Sequence, residues 1–235
     1  MKYAIFSDIH SNLTALQACY EHFLALNTPA KIVILGDYID YGPRPNETVE
    51  YIQNMSPHIV LCGNHEKALN GGEDSKFSSP RGVTSSRLTR QVLDVSSMKF
   101  IDKNNNAFIE HDNILFIHGD LSNPYWGKMS YSEMQDTKYR KYDFVISGHT
   151  HIPHLLEIFY ETENLNMRNK KKTIFLNPGS VGQPRNHCPN AQYMVMDTET
   201  EEFNYYKVPY DIKLEQSFFT EEFDVFYKNR LIFGV

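Results

Sequence analysis

Five short apolar runs each end in side chains able to bind a metal ion. IFSDIH places Asp8 and His10 after the first run, and IVILGDYID places Asp37 and Asp40 after the second. IVLCGNHE places Asn64, His65 and Glu66 after the third, and ILFIHGD places His118 after a fourth. FVISGHTH places His149 and His151 after a fifth. Carboxylates, an amide oxygen and imidazoles without a thiolate suit manganese, iron, zinc or related ions better than a structural zinc cage. Two such ions about 3.5–4 Å apart clamp a phosphoryl group and lower the pKa of a water between them. Asp37 is the natural bridging carboxylate, because it follows an apolar run and has ligand candidates on both sides. Any one of these residues alone is more often a polar strand end with a structural partner. The ordered set is what points to a metal site.

The elements that must carry these residues read as an alternation. Lys2–Ser7 is an apolar, strand-like run, and Asn12 is a good N-cap for the helical pattern Leu13, Leu16, Tyr20, Phe23. Lys31–Leu35 and His58–Cys62 have the pattern of strands buried on both faces. Between them, Pro45–Asn54 starts a helix with proline in its first turn. Strand, helix, strand, helix, strand implies parallel pairing, and ligands in such sheets bind at the carboxyl ends of the strands. Ser79–Asp94 and Ser130–Tyr139 read as helices, Phe100–Ile109 contains a short strand, and Ile114–Ile117 and Phe144–Ser147 are further strands. After His151 the runs His154–Tyr160, Thr173–Leu176, Gln192–Asp197 and Glu202–Val208 read as antiparallel hairpins, and Glu221–Leu231 as a helix. The segment Thr162–Lys172 reads as a polar hairpin tip, with Lys170, Lys171 and Lys172 a solvated turn. Gly36, Gly63 and Gly148 permit sharp turns beside the candidate ligands. The whole chain, 1–235, reads as one domain.

Composition narrows the partners. A formal charge of −6 without a long basic run argues against non-specific nucleic-acid binding, but not against a phosphorylated substrate held by metal ions. Three cysteines, Cys19, Cys62 and Cys188, form no CxxC pair and no disulfide framework. The first ten residues are too polar for a signal-peptide core, and no run approaches the roughly 20 apolar residues of a membrane helix. A cytoplasmic location is expected. Fifteen Tyr and fifteen Phe favour a dense core over an aromatic-lined groove.

The ordered motifs D-x-H, GDxxD, GNH[ED], a lone His and GHxH, from Asp8 to His151, resemble the calcineurin-like metallophosphoesterase superfamily. NPGSVGQPR (177–185), DIHSNLTAL and GDYIDYGPRPNE resemble its bacterial phosphodiesterase-like branch. The resemblance implies a four-layer αββα sandwich, an α/β fold of mixed β-sheets flanked by helices. It implies that Asp8, His10, Asp37 and His151 hold one metal, and that Asp37, Asn64, His118 and His149 hold the other. The implied cofactors are two divalent or trivalent ions, manganese first, with iron, zinc or nickel as alternatives. His65 is implied to sit by the substrate, orienting the phosphate or protonating the leaving oxygen, with Asn64 also near the substrate. Asp40 is implied to orient His65. The Asn-Pro-Gly-Ser turn is implied to lie by the site, with Arg185 either a phosphate clamp or a surface residue.

Two departures from the protein serine/threonine phosphatases of the superfamily weigh against that activity. Tyr41 follows Asp40 where they carry Arg-Gly, and Asp120 follows His118-Gly119 where they carry a second glycine. Asp120 either supports the site or serves a local turn. The expected activity is hydrolysis of a phosphodiester or phosphomonoester in a small phosphorylated substrate, by a hydroxide bridging the metals. The alternative is a pyrophosphate bond in a dinucleoside polyphosphate, with Tyr41, Tyr125 or Trp126 stacking a base; packing is the competing reading for each ring. A non-catalytic scaffold is least favoured, because every ligand position of the pattern is filled.

Overall fold

The computed structural model describes residues 1–164, 166 and 171–235. Two five-stranded mixed sheets pack face to face. In the first, β1 (Lys2–Phe6), β2 (Lys31–Ile34) and β3 (Ile59–Val60) are parallel. On the other side of β1 run β9 (Ala191–Asp197) and β10 (Glu202–Val208), each antiparallel to its neighbour. The second sheet has β5 (Ile114–Ile117), β6 (Phe144–Ser147) and β8 (Lys172–Asn177) parallel. Its antiparallel edges are β4 (Phe108–His111) and β7 (His154–Phe159).

Alternation along the strands sends residues to opposite faces and produces three apolar layers. Tyr3, Ile5, Val33 and Leu35 meet Phe116, Ile146 and Leu176 between the sheets. The other face of the first sheet (Ala4, Phe6, Ile34, Val195) packs on α1 (Leu13–Ala25), α2 (Pro45–Asn54) and α5 (Val95–Lys103). The outer face of the second sheet (Leu115, Val145, Phe175) is covered by Met134 of the short helix α6 (Tyr131–Met134), with Met129, Tyr139 and Tyr142. This is the αββα sandwich, with one outer layer thin. Each fully buried Ile, Leu or Phe contributes about 1.5–3 kcal/mol.

Local signals account for most boundaries. Asn12 caps α1, its side chain accepting the Ala15 N–H, and Pro45 opens α2. Ser79 caps α4 (Pro80–Val92). The helix expected over Ser130–Tyr139 is instead two pieces, because Asp136 caps a separate 3-10 turn at Thr137–Tyr139. The expected strand near Phe100–Ile109 begins only at Phe108, since Asp94 caps α5 through Lys103. The C-terminal helix α8 (Val225–Phe233) starts later than Glu221, after its cap Asp224, and α7 (Ile212–Ser217) precedes it. Of the polar segment Thr162–Lys172, residues 165 and 167–170 lie outside the described residues, and Lys170 with them. Lys171 and Lys172 pair with Asp143, Glu157 and Glu201. Among the described residues, no helix is long and apolar enough to cross a membrane. All three cysteines are free.

Candidate metal centre

The register brings the polar strand ends together. Phe6 pairs with Ile34 and Ile34 with Val60, so Asp8, Asp37 and Asn64 emerge at one edge of the first sheet. Ile117 pairs with Ser147, so His118 emerges beside the loop of His149 and His151 in the second. The two edges join: the His149 N–H donates to Asp8 Oδ1 at 3.2 Å, and His118 Nδ1 contacts the Leu35 carbonyl at 2.8 Å.

Ligand atoms of Asp8, His10, Asp37 and His151 all lie within 4.8 Å of one another, and so do those of Asp37, His118 and His149. Asn64 joins the second group, its Oδ1 standing 3.2 Å from His118 Nε2 and 2.8 Å from His149 Nδ1. Asp37 belongs to both groups. All seven sequence-predicted ligands therefore converge.

The tautomers test whether cations fit. His10, His118 and His151 each place Nδ1 against a backbone carbonyl, of Ile39 (3.2 Å), Leu35 (2.8 Å) and Gln183 (2.6 Å). A carbonyl only accepts, so each neutral ring carries its hydrogen on Nδ1 and turns an Nε2 lone pair inward. Those lone pairs face other acceptors. His10 Nε2 meets His151 Nε2 at 3.1 Å, His118 Nε2 meets Asp37 Oδ2 at 3.1 Å, and His151 Nε2 meets Asp8 Oδ1 at 3.3 Å. Lone pairs converging in a buried space call for protons or cations between them.

Electrostatics agree. Burial holds His10 and His151 well below the usual imidazole range. Burial and His118 push His149 down to about 3. These rings are neutral, the state a metal needs. Burial, only partly offset by His118, pushes Asp8 up to about 6. Burial would raise Asp37 as well, but His118 and His65 outweigh it and hold this carboxylate well below its usual range. Burial would lower His118, yet Asp37 lifts it to about 9, so without metal this pair shares the charge that a cation would replace.

The backbone is bent to make the site. Asp8, His10, Asp37, Asp40, Tyr41, His149 and His151 all have positive φ, between 51° and 71°. Each such residue costs about 1–2 kcal/mol, and the surrounding hydrogen bonds must hold it. Buried Glu66 does much of this, accepting N–H bonds from Asp37 (2.8 Å), Tyr38 (2.8 Å), Ile39 (3.1 Å) and Gly63 (2.8 Å). Gly63 precedes α3 (Asn64–Gly71), and a Cβ there would overlap the Asp37 carboxylate.

His65 is buried with Nδ1 2.7 Å from Asp40 Oδ2, while its backbone N–H donates to Asp37 Oδ1 at 3.0 Å. Burial would lower its pKa, but Asp37 and Asp40 raise it above the ordinary histidine value. Arg185 lines the adjoining cavity of about 470 Å³, together with Asn64, His65, Tyr41 and Trp126. Its buried Nε has no hydrogen-bond partner among the described residues.

Tyr41, Tyr125 and Asp120, and Arg44 just after the second acidic motif, are engaged in packing or local contacts. Tyr41 lines the cavity, but its ring is packed against Tyr227, His10 and His65, with centroids 4.4, 4.6 and 4.4 Å away, so it offers no free face to a base. Tyr125 lies under the Lys67 ammonium, 5.2 Å from the ring centroid, and does not line the cavity. Arg44 pairs with buried Glu215 of α7 and donates to Thr14 Oγ1 at 2.6 Å, away from the cavity. Asp120 Oδ1 accepts the N–H groups of Ser122 and Asn123, both at 2.8 Å, a local turn role.

Ser180 of the expected Asn-Pro-Gly-Ser turn contributes, and so do Gln183, Arg230 and Tyr227, which were not read from the sequence. Ser180 Oγ donates to the Asp8 carbonyl at 2.7 Å, so the Asn-Pro-Gly-Ser turn does lie by the site and ties the two sheets. Gln183 supplies the carbonyl that orients His151, and Arg230 of α8 donates to its Oε1 at 3.2 Å. Tyr227, also of α8, stacks on Tyr41 at 18°. The turn chemistry of N-P-G-S signalled the first; contacts across such chain separations leave no local signal for the others.

The profile of the Calcineurin-like phosphoesterase superfamily domain matches residues 1–201. A protein of Methanocaldococcus jannaschii, described only as uncharacterised, is 31% identical over 97% of this chain and 93% of its own length. The crystal structure of a metallophosphoesterase from Sphaerobacter thermophilus superposes with a TM-score of 0.80 at 26% identity, each chain covered completely. A hypothetical protein of Pyrococcus horikoshii shares the fold, with a TM-score of 0.80 at 20% identity over 100% of this chain and 98% of its own. On the extent of the profile match and of the archaeal relative, this chain belongs to the calcineurin-like phosphoesterase superfamily.

Proposed function

We propose that the protein is a two-metal phosphoesterase that hydrolyses a phosphodiester or phosphomonoester bond in a small phosphorylated substrate. The observation that carries this reading is Asp37, common to two groups of ligand atoms, one buried and one buried but for half-buried His149, each within 4.8 Å. Asp8, His10, Asp37 and His151 would hold one ion, and Asp37, Asn64, His118 and His149 the other. When bound, the pair supplies Lewis acidity toward the phosphoryl oxygens and toward a water nucleophile. Manganese suits the oxygen and nitrogen donors, with iron, zinc or nickel next.

The chain's own residues would do the rest. His65, held by Asp40 through Nδ1 and lining the cavity, would donate a proton to the leaving oxygen. Arg185, with an unpartnered Nε beside the cavity, would take a phosphoryl oxygen. We read the chain as one domain of a cytoplasmic enzyme, consistent with three free cysteines. Hydrolysis of a pyrophosphate bond in a dinucleoside polyphosphate is the second reading, favoured by Trp126 at the cavity wall.

The test is a panel of phosphomonoesters, phosphodiesters, cyclic nucleotides, dinucleoside polyphosphates and phosphopeptides, assayed with purified protein and manganese. Turnover of at least one small ester, lost on chelation and in Asp37→Asn, is expected. A metal-loaded protein that leaves the whole panel intact refutes the reading and favours a scaffold.

A further inference from the structure

The cavity extends past the candidate ligands along a row of rings. His65 meets Phe77 at a centroid distance of 4.9 Å, and Phe77 meets Trp126 at 5.2 Å, nearly edge to face at 77°. Phe77 caps the 3-10 turn Asp74–Lys76, whereas Trp126 lies in the loop after β5. Glu73 ties these two loops, its Oε2 accepting from Lys76 Nζ at 3.0 Å and from Trp126 Nε1 at 3.3 Å. Lys76 and Lys128 line this outer half, and Lys128 makes no ion pair among the described residues.

The charge balance here is opposite to that of the molecule. The protein carries a formal −6, yet the cavity is lined by Lys76, Lys128 and Arg185 against two carboxylates, Asp37, which faces the ligand cluster, and Glu73, which pairs with Lys76 at the rim. A single phosphoryl group at the centre would engage the metals and Arg185. Lys128, without an ion pair among the described residues, and Lys76, held at the rim by Glu73, stand beside an indole where a small neutral alcohol would engage neither. They match a departing group that has its own negative charge and a flat ring.

We propose that the Lys76–Phe77–Trp126–Lys128 rim is a leaving-group subsite that selects substrates from which a nucleotide departs. This rests on the phosphoesterase reading, because His65, the proton donor to the leaving oxygen in that reading, begins the row of rings. In the step itself one water is consumed. Its oxygen bonds to phosphorus, the bond from phosphorus to the leaving oxygen breaks, and the leaving oxygen takes the His65 proton while the water's proton is released. The nucleotide so formed rests with its phosphate between the two ammonium groups and its base against Trp126.

Trp126 is the only tryptophan, so its fluorescence reports on this subsite directly. Manganese-loaded protein is titrated with AMP, ribose 5-phosphate and adenosine, and hydrolysis of bis(p-nitrophenyl) phosphate is measured alongside. AMP is expected to change the emission saturably and to bind about tenfold more tightly than either fragment. In the double variant Lys76→Ala/Lys128→Ala, AMP affinity is expected to fall about tenfold or more, and by more than kcat/KM on the chromogenic diester falls. No emission change with AMP, or wild-type AMP affinity in the double variant, overturns the subsite. A lysine-dependent AMP response without any ester hydrolysis leaves the subsite standing and removes the phosphoesterase reading. Hydrolysis without an AMP response does the reverse.

Discussion

Replacing Asp40 with asparagine tests how the site controls its candidate proton donor. Asp40 Oδ2 lies 2.7 Å from His65 Nδ1, and both side chains are buried. The other oxygen accepts from the Tyr41 N–H at 2.7 Å, from Thr89 Oγ1 at 3.3 Å and from Ser85 Oγ. Asparagine can keep Oδ1 on those three donors, which turns its NH2 toward His65. The ring must then present a bare Nδ1 and carry its hydrogen elsewhere, and it loses the charge that helps keep it protonated. A charge-assisted hydrogen bond of this kind is worth about 1.5–3 kcal/mol, which converts to a fall in kcat of about 10- to 100-fold. The assay is steady-state turnover on the best substrate of the panel, with metal content and melting temperature measured on the same samples. If Asp40 acts through His65, Asp40→Asn should cost little further in a His65→Ala background, where the single change alone removes about 10²–10⁴-fold. Equal losses in both backgrounds, or full activity in Asp40→Asn at full metal occupancy, would refute the reasoning.

Tyr227→Ala should lower kcat by about tenfold while metal content holds, because its ring, stacked 4.4 Å from Tyr41, backs the ring that braces His10 and His65. Tyr227→Phe keeps the stack and should restore kcat; kinetics and metal analysis on the pair decide. Gly63→Ala pushes a methyl group into the Asp37 carboxylate and should lose most of the bound metal, read by plasma emission spectrometry. His118 gives a pH dependence. Its folded pKa of about 9 lies above the ordinary 6.5, so its contribution is complete below about 6.5 and is lost as pH rises to about 9. That contribution reaches at most about 3 kcal/mol. Calorimetry in chelator should show the melting temperature falling across that window, while manganese affinity rises as the proton leaves. A melting temperature that rises, or an affinity that is flat, contradicts the assignment.

The parts of the site that the sequence made legible are those set by short-range patterns. An apolar run followed by Asp8, Asp37, Asn64, His118 or His149 announces both a strand and what leaves its end. Asn12 and Pro45 announce helix starts through local chemistry. What stayed hidden depends on the third dimension. The helix α3 starting at Asn64 was not read from the sequence, because its start is held by Glu66 reaching back to Gly63 and across to Asp37, Tyr38 and Ile39. Arg44 and Arg185 look alike as letters, yet buried Glu215 takes the first away from the cavity and leaves the second facing it. Tyr41 followed the second acidic motif and was a candidate base-stacking ring; α8, late in the chain, covers it. The carbonyls of Leu35, Ile39 and Gln183 that set the imidazole tautomers are peptide groups, and no side-chain pattern encodes them.

The most direct measurement is anomalous diffraction from crystals of the manganese-loaded protein. Two peaks per chain, about 3.5–4 Å apart with the Asp37 carboxylate between them, are the expected result. One peak, or peaks that Asp37 does not touch, would contradict the claim that this side chain joins two cations into one hydrolytic centre.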